Sequence, residues 1–302
     1  MSERAAIAII GGGLMGHGIA QVFARAGHQV RVHDPSPQIL ATLHERIRKN
    51  LGDLGQDTGA ADRVSGHDQL ASAVAGAAVV FEAGPENLGR KQQIFASIEA
   101  AALPQAILAS NTSVIPITQI MSGLKRGERA LGTHWWNPPY LVPLVEVIKT
   151  PLTSAAAVDT MTALLGAAGK TPVTVEKDVP GFVGNRLQHA LWREAIALVE
   201  SGVCDARTVD TVVKASFGRR LAVLGQLENA DLVGTDLTLA IHETVLPAIE
   251  SRPGPSPYLE KLVKDGKLGF KSGEGFRAWS TADQAALRAK VLQHLKKARA
   301  QD

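Results

Sequence analysis

The sequence lacks several features that would place it in a specialised class of protein. Its 302 residues include one cysteine, Cys204, so no disulfide can form within the chain. A lone thiol in a helical stretch is typical of a small core residue rather than of a nucleophile. We see no apolar run of membrane-spanning length and no N-terminal apolar stretch as long as that of a signal peptide. We therefore expect a cytoplasmic protein with no membrane partner.

The charge of the chain is also nearly balanced. There are 32 basic and 29 acidic residues, which gives a formal net charge of +3. The basic residues form no cluster beyond the tail at 296–299, so we expect no nucleic-acid partner. Hydrophobic residues make up 45% and charged residues 20% of the chain, which is typical of a globular protein with a substantial core. We predict no metal site and find no internal repeat.

Short apolar runs with β-branched residues recur through the first half of the sequence, with helical stretches between several of them. A strand, a glycine turn, a helix and a second strand open the chain and form a βαβ unit. This pattern predicts an α/β fold with a doubly wound, mainly parallel sheet. The predicted strands are Ala5–Ile10, Gln29–His33, Ala78–Phe81, Ile107–Ser110, Ala130–Thr133, Val145–Ile148 and Val173–Val175.

The pattern changes after Gly181, where strand signals nearly vanish. Apolar residues recur at helical spacing over 184–200, and further helices are predicted at 208–214, 237–250 and 282–300. We therefore predict two domains, an α/β domain at 1–182 and an all-α domain at 183–302.

A glycine turn follows the first predicted strand. Gly11, Gly13 and Gly16 form a G-x-G-x-x-G pattern that opens a helix, and Asp34 ends the next strand. This context is the one that a Rossmann-type dinucleotide site requires. An aspartate at this position accepts hydrogen bonds from ribose hydroxyls and repels a 2′-phosphate, which favours NAD over NADP. The alternative is a glycine-rich turn with a surface aspartate.

A histidine and a glutamate form the second candidate site. His134 stands at the end of a predicted strand, and Glu146 lies within the apolar run 144–148. A carboxylate in a buried strand is costly unless it is paired. Such a pair also gives a general base, because the carboxylate fixes the tautomer of the imidazole and stabilises its charged form. The alternative is a core hydrogen bond with no catalytic role.

Two more polar residues fit this picture. Ser113 follows the strand that ends at residue 110, and Asn185 opens the helix at the predicted domain boundary. Both types of residue are also common helix caps, which is the structural alternative.

Several segments together resemble the L-3-hydroxyacyl-CoA dehydrogenase family. These are "GGGLMG", "FEAGPENLGRKQQIF", "SNTS", "HWWNPPYLVPLVEVIKT", "DVPGFVGNRL" and "KSGEGF", and they span nearly the whole chain. The family includes relatives that resemble gulonate and carnitine dehydrogenases and the lens λ-crystallin. The resemblance implies cofactor contacts in the glycine loop, including Leu14 and Met15, and further cofactor contacts by Glu86, Lys91, Asn111 and Asn137.

The resemblance also implies a reaction. In it, an L-3-hydroxyacyl-CoA loses a hydride to NAD while His134 takes the hydroxyl proton and Glu146 orients His134. Ser113 and Asn185 would hydrogen-bond the reacting oxygen and the neighbouring carbonyl. The resemblance further implies a role in fatty acid metabolism and a homodimer formed through the helical domain.

The sequence leaves the substrate open between two classes. CoA-using members often carry a lysine-rich helical segment after the second strand, but residues 51–70 contain one arginine, no lysine and four aspartates. The cations just before this segment are candidates for CoA phosphate contacts or for solvated helix charges: Arg46, Arg48 and Lys49. The run 137–140, Asn-Pro-Pro-Tyr, looks more like relatives that act on small hydroxy acids.

Three arginines bear on the same choice. One of them could bind a free substrate carboxylate, or all could form surface salt bridges: Arg193, Arg219 and Arg220. A third possibility is a non-catalytic, NAD-binding structural protein similar to the crystallin.

Overall fold

The structure is a computed structural model that describes residues 5–300. Eight strands form one sheet. They are β1 Ile7–Ile10, β2 Val30–His33, β3 Val64–His67, β4 Val79–Glu82, β5 Ile107–Ser110, β6 Ala130–Trp135, β7 Leu144–Ile148 and β8 Thr171–Val175.

The described residues also form helices in both halves of the chain. Those that precede or connect the strands are α1 Leu14–Arg25, α2 Pro37–Ala41, α3 Leu43–Gly52, α4 Leu70–Val74, α5 Leu88–Ala101, α6 Ile117–Ile120 and α7 Ala155–Ala167. Those that follow the last strand are α8 Gly184–Glu200, α9 Ala206–Ala215, α10 Gln226–Val233, α11 Thr235–Val245, α12 Pro257–Lys264 and α13 Thr281–Arg299.

The strand order in the sheet is β3-β2-β1-β4-β5-β6-β7-β8. Neighbouring strands are parallel except for β6 and β7, which are antiparallel. The order reverses direction at β1, so the loops after β1 and β4 open at the switch point where ligands bind in such sheets. The prediction of a mainly parallel, doubly wound sheet followed by a helical region is confirmed.

One strand was not predicted. The edge strand β3 has the sequence Val-Ser-Gly-His, of which only Val64 is buried. As an edge strand, it has one neighbour in the sheet, β2, and the two strands pair in parallel. Because its side chains carry neither an alternating nor a continuous apolar pattern, the sequence gives no strand signal there.

Alternate residues of β1, β4, β5, β6 and β7 enter two separate apolar cores, as the pleat of a β-strand requires. Ile7 and Ile9 face a core that includes residues of α1, α3 and α7. Ala8 and Ile10 face a second core that includes residues of α4, α5 and α6. These central strands are therefore buried on both faces, which explains why they appear in the sequence as continuous apolar runs.

The chain forms two compact units. The first comprises the described residues up to Arg186 together with those from Leu292 onward, and the second comprises Leu187–Val291. Over residues 5–300, we find no helix with the length and apolar character needed to cross a membrane.

Candidate active site

The glycine loop between β1 and α1 has room for no side chain at two of its positions. Gly11 has a φ of +105°, and a Cβ there would stand 2.6 Å from the carbonyl oxygen of Ala83. A Cβ at Gly16 would stand 1.7 Å from the carbonyl oxygen of Gly11. The first glycine therefore makes the turn, and the third lets the helix begin directly against the strand.

The middle glycine faces open space. No atom lies within 4 Å of a Cβ built on Gly13, which is the N-cap of α1 and caps it with no side-chain hydrogen bond. The first amides of a helix have no partner within the helix and carry partial positive charge. Leu14 is exposed and Met15 is partly buried beside this opening. The loop therefore fits a pyrophosphate group.

Asp34 stands directly after β2 and joins the glycine loop to the start of α2. Its Oδ2 accepts a hydrogen bond from the amide of Gly12 at 2.8 Å, and its Oδ1 accepts one from the amide of Ser36 at 2.9 Å. Each carboxylate oxygen can accept a second bond. The geometry thus orients the carboxylate and leaves acceptor positions that fit ribose hydroxyls.

The sheet brings the other candidates to the same edge. Because β1, β4, β5 and β6 are parallel, their carboxyl ends lie together. Gly11 follows β1, Asn111 follows β5, and His134 lies near the end of β6. Asn111 is buried, and its Oδ1 accepts a hydrogen bond from the amide of Trp135 at 3.0 Å.

His134 and Glu146 lie opposite each other in the antiparallel β6–β7 pair. His134 Nδ1 is 2.7 Å from Glu146 Oε2, and both side chains are buried. Since the ionised carboxylate only accepts, Nδ1 carries the proton and Nε2 has a free lone pair. The arrangement supplies an imidazole of fixed tautomer whose second nitrogen can take a proton.

Glu146 is held on its other oxygen by the start of α8. Its Oε1 accepts hydrogen bonds from the amides of Val183 at 2.9 Å and Gly184 at 3.0 Å. The left-handed residues Gly181, with φ +74°, and Phe182, with φ +51°, turn the chain just before these amides. Burial raises the pKa of Glu146, but the hydrogen bonds from His134 and the two amides outweigh it and hold the pKa below its ordinary value.

Two aromatic rings flank the imidazole of His134. The ring centroid of Trp136 lies 5.2 Å away and that of Phe182 lies 5.6 Å away. Gly184 makes the position of Trp136 possible, because a Cβ there would stand 2.5 Å from the indole ring. His134 is only 3% exposed.

Ser113 and Asn185 contact each other. Asn185 Nδ2 donates to the carbonyl oxygen of Ser113 at 2.8 Å, and the amide of Ser113 donates to Glu86 Oε1 at 3.0 Å. Asn185 directly follows Gly184, which binds Glu146. The structure therefore links Glu86, Ser113, Asn185 and Glu146 through one continuous series of contacts.

Lys91 is fully buried and pairs with a glutamate that the sequence analysis missed. Its Nζ lies 2.8 Å from Oε1 of Glu82, which is also fully buried, and 3.5 Å from Oε2 of Glu86. Glu82 also accepts hydrogen bonds from the hydroxyl of Ser110 and the amide of Gly84, each at 2.7 Å. The sequence did carry a signal for Glu82, because an acidic residue in an apolar strand requires a partner. The same signal identified Glu146.

The remaining candidates are exposed. Asn137 is exposed at the start of the loop after β6. The three arginines of the helical unit are exposed, and none forms a salt bridge with a described residue: Arg193, Arg219 and Arg220. Within residues 5–300, no three His, Cys, Asp or Glu side chains are grouped to hold a metal ion.

Two family models match successive parts of the chain. Residues 6–179 match the NAD-binding domain of 3-hydroxyacyl-CoA dehydrogenase, and residues 181–279 match its C-terminal domain. The chain is 36% identical over 295 residues to 5-formyl-3-hydroxy-2-methylpyridine 4-carboxylate 5-dehydrogenase of Mesorhizobium japonicum, covering 96% of this chain and 95% of the relative. It is 38% identical over 287 residues to human mitochondrial hydroxyacyl-coenzyme A dehydrogenase, covering 89% and 90%.

Solved structures give the same result. A 5-formyl-3-hydroxy-2-methylpyridine 4-carboxylic acid 5-dehydrogenase, described as an NAD+-dependent dismutase, matches with a TM-score of 0.90 and 35% identity over 98% of this chain and 97% of that one. An (S)-3-hydroxybutyryl-CoA dehydrogenase from Ralstonia eutropha matches with a TM-score of 0.76 and 31% identity over 92% and 99%. The chain therefore belongs to the 3-hydroxyacyl-CoA dehydrogenase family, whose members are NAD-dependent oxidoreductases.

Proposed function

We propose that this protein oxidises a secondary alcohol with NAD, using His134 as the general base and Glu146 as its partner. The observation that carries the proposal is the 2.7 Å contact between His134 Nδ1 and the ionised Glu146, which leaves Nε2 free. NAD, when bound, supplies the acceptor for the hydride. The substrate C–H bond breaks with its electron pair, the O–H proton passes to Nε2, and a carbonyl forms.

The other polar residues orient the substrate and the cofactor. The hydroxyl of Ser113 and the side-chain amide of Asn185 are assigned hydrogen bonds to the reacting oxygen and its neighbouring carbonyl. The hydrogen bond from Asn185 Nδ2 to the carbonyl oxygen of Ser113 supports this, because it holds the two residues side by side. The glycine loop and Asp34 bind the dinucleotide, together with contacts from Glu86, Asn111 and Asn137. Lys91 acts behind Glu86, where its charge helps to keep that carboxylate ionised.

We propose a small carboxylate-bearing substrate rather than a CoA thioester. The cations that could meet CoA phosphates are already engaged within the protein. Arg48 pairs with Asp62 at 2.6 Å, and Lys49 pairs with Asp53 at 2.7 Å. Arg46 donates to the carbonyl oxygen of Gly12 at 3.0 Å, so its guanidinium supports the glycine loop.

The comparisons support the same choice. The relative with a TM-score of 0.90 is named for a pyridine carboxylate and is matched along almost its whole length. Oxidation of an L-3-hydroxyacyl-CoA, with a role in fatty acid metabolism, is the second candidate, and the 38% identity to the human enzyme favours it.

Formation of NADH, followed by its absorbance, separates the candidates. We expect turnover with at least one small hydroxy acid that carries a secondary alcohol and none with 3-hydroxybutyryl-CoA. Turnover with the thioester alone would overturn the proposed substrate class but not the reaction. Binding of NAD without turnover on a panel that includes L-gulonate, L-carnitine and acyl-CoA thioesters would instead indicate a structural, crystallin-like role.

We also propose that residues 183–302 form a homodimer and substrate domain. Within 187–291, Leu262 is the one residue whose side chain is buried. Large apolar side chains there are exposed instead, among them Val223 at 86%, Leu227 at 81% and Leu232 at 75%. Soluble monomers rarely leave so many large apolar side chains exposed, and a second copy of the chain is the occupant that would cover them. A cytoplasmic location is part of this proposal.

A further inference from the structure

Three polar side chains connect the glycine loop to the loop that follows β6. The hydroxyl of Tyr140 donates to Asn50 Oδ1 at 3.2 Å. Asn50 Nδ2 lies 3.2 Å from His17 Nε2, and His17 Nδ1 lies 2.7 Å from the carbonyl oxygen of Gly13. A continuous path of hydrogen bonds thus runs from the glycine loop, at Gly13, to the loop that follows β6, at Tyr140. We call these the two cofactor loops.

Only one tautomer of His17 satisfies this path. The carbonyl oxygen of Gly13 can only accept, so Nδ1 carries the proton and Nε2 accepts from the amide of Asn50. His17 is buried. Burial lowers its pKa, the bond to Gly13 opposes this, and the nearby guanidinium of Arg46 lowers the pKa further. The lowered pKa favours the neutral imidazole, the form in which Nε2 can accept a hydrogen bond.

Further contacts hold the loop at 136–143, which carries both Tyr140 and Asn137, in place beside α1. It lies directly on α1, because a Cβ at Gly18 would stand 3.0 Å from the ring of Pro139 and 3.3 Å from Tyr140. Lys170 Nζ donates to the carbonyl oxygen of Val142 at 2.6 Å, and Arg299 donates to that of Tyr140. These contacts tie Tyr140 into the same loop as Asn137.

We propose that His17, Asn50 and Tyr140 form a positioning relay that fixes the separation of the two cofactor loops. The relay acts on NAD through Gly13 at one end and Asn137 at the other, so the inference rests on the proposed cofactor contacts of those two residues. Tyr140 and Asn50 are positioning residues that act through these loops.

Calorimetric titration with NAD tests the relay without a substrate. Tyr140→Phe removes one hydroxyl, and we expect the Kd for NAD to rise roughly threefold to tenfold, the range for one lost hydrogen bond. The matched control is Tyr258→Phe in α12, which should leave the Kd unchanged. An unchanged Kd in Tyr140→Phe, with only its thermal stability lowered, would show a local structural role and overturn the relay.

A double-mutant cycle provides the second readout. Asn50 lies in helix α3, where alanine is a favourable residue, so Asn50→Ala is expected to fold. If the relay acts as a unit, adding Tyr140→Phe to Asn50→Ala changes the Kd no further. Independent, multiplicative effects of the two changes would contradict it. Failure of the unaltered protein to bind NAD would overturn the proposed function as well, whereas normal binding with unaffected variants overturns the relay alone.

Discussion

The carboxylate of Glu146 is occupied on both oxygens, and this determines what His134 can do. With one oxygen on His134 and the other on two backbone amides, the acid stays ionised without a cationic partner. Its lowered pKa means that these bonds are complete above the ordinary glutamate range and are lost only as the pH falls through the lower, folded-state value. The base is therefore oriented throughout the neutral range.

Replacement of His134 tests the assignment of the base. His134→Ala removes the proton acceptor but leaves the glycine loop intact, so kcat should fall by roughly 10²–10⁴-fold while the Kd for NAD is retained. Steady-state kinetics and calorimetry give the two values. The control is His242→Ala, at an exposed histidine of α11. Activity within a few-fold of the original in His134→Ala would refute the assignment.

The buried pair of Glu82 and Lys91 gives a prediction about stability. Glu82→Gln leaves the ammonium of Lys91 buried without its main partner, which should lower the free energy of unfolding by about 3–5 kcal/mol. Urea denaturation measures the change. Glu176→Gln breaks an exposed pair with Lys149 and should cost less than about 1 kcal/mol. Equal effects of the two variants would contradict the importance of burial.

Residue chemistry explains which parts of the site the sequence predicts. A glutamate inside an apolar strand requires a partner, and the nearby histidine identifies the pair of His134 and Glu146 in advance. Glu82 gives the same signal, but the sequence does not identify its partners. These are Lys91, which lies in a helix, and Ser110, which lies in another strand. Such partners become evident only when the strands are aligned in the sheet.

At the scale of elements, the sequence predicts the strands that are buried on both faces and the long helices. It does not predict the direction of β7, because an antiparallel and a parallel neighbour have the same apolar pattern. That direction is what brings Glu146 opposite His134. The left-handed turn at Phe182 is similarly unpredictable, since phenylalanine rarely adopts a positive φ.

The loop after β6 gives a prediction about pH. Burial, together with the nearby positive charges of Arg299 and Arg25, lowers the pKa of Lys170 to about 7. Between that value and the ordinary 10.5, the unfolded chain binds more protons than the folded one, so the free energy of unfolding rises with pH. This one group contributes a slope of up to about 1.4 kcal/mol per pH unit in that window.

Lys170→Met removes this contribution. Urea denaturation from pH 7 to 10 should give a slope smaller by that amount than in the unaltered protein. Lys125→Met, at an exposed lysine, is the matched control and should keep the original pH dependence. An unchanged slope in Lys170→Met would show that the ammonium is not destabilised by its surroundings.

At the scale of the whole molecule, the two units differ in how they bury apolar surface. The α/β unit has two apolar cores, whereas the described residues 187–291 have almost no buried side chain. The sequence predicts the helices of this second unit from their periodicity. Periodicity cannot distinguish an apolar face that packs within the chain from one that another chain covers.

A charge placed in the exposed apolar surface of the helical unit tests the homodimer. If a second copy covers α10, Leu227→Asp buries an unpaired carboxylate at the interface, so the mass measured by light scattering after gel filtration should fall from that of a dimer towards that of a monomer. The control is Leu152→Asp, at an exposed leucine of the α/β unit, which should leave the mass unchanged. Because the helical unit buries so little by itself, the monomeric variant should also unfold at a lower temperature. A monomeric mass for the unaltered protein would exclude a second copy as the occupant.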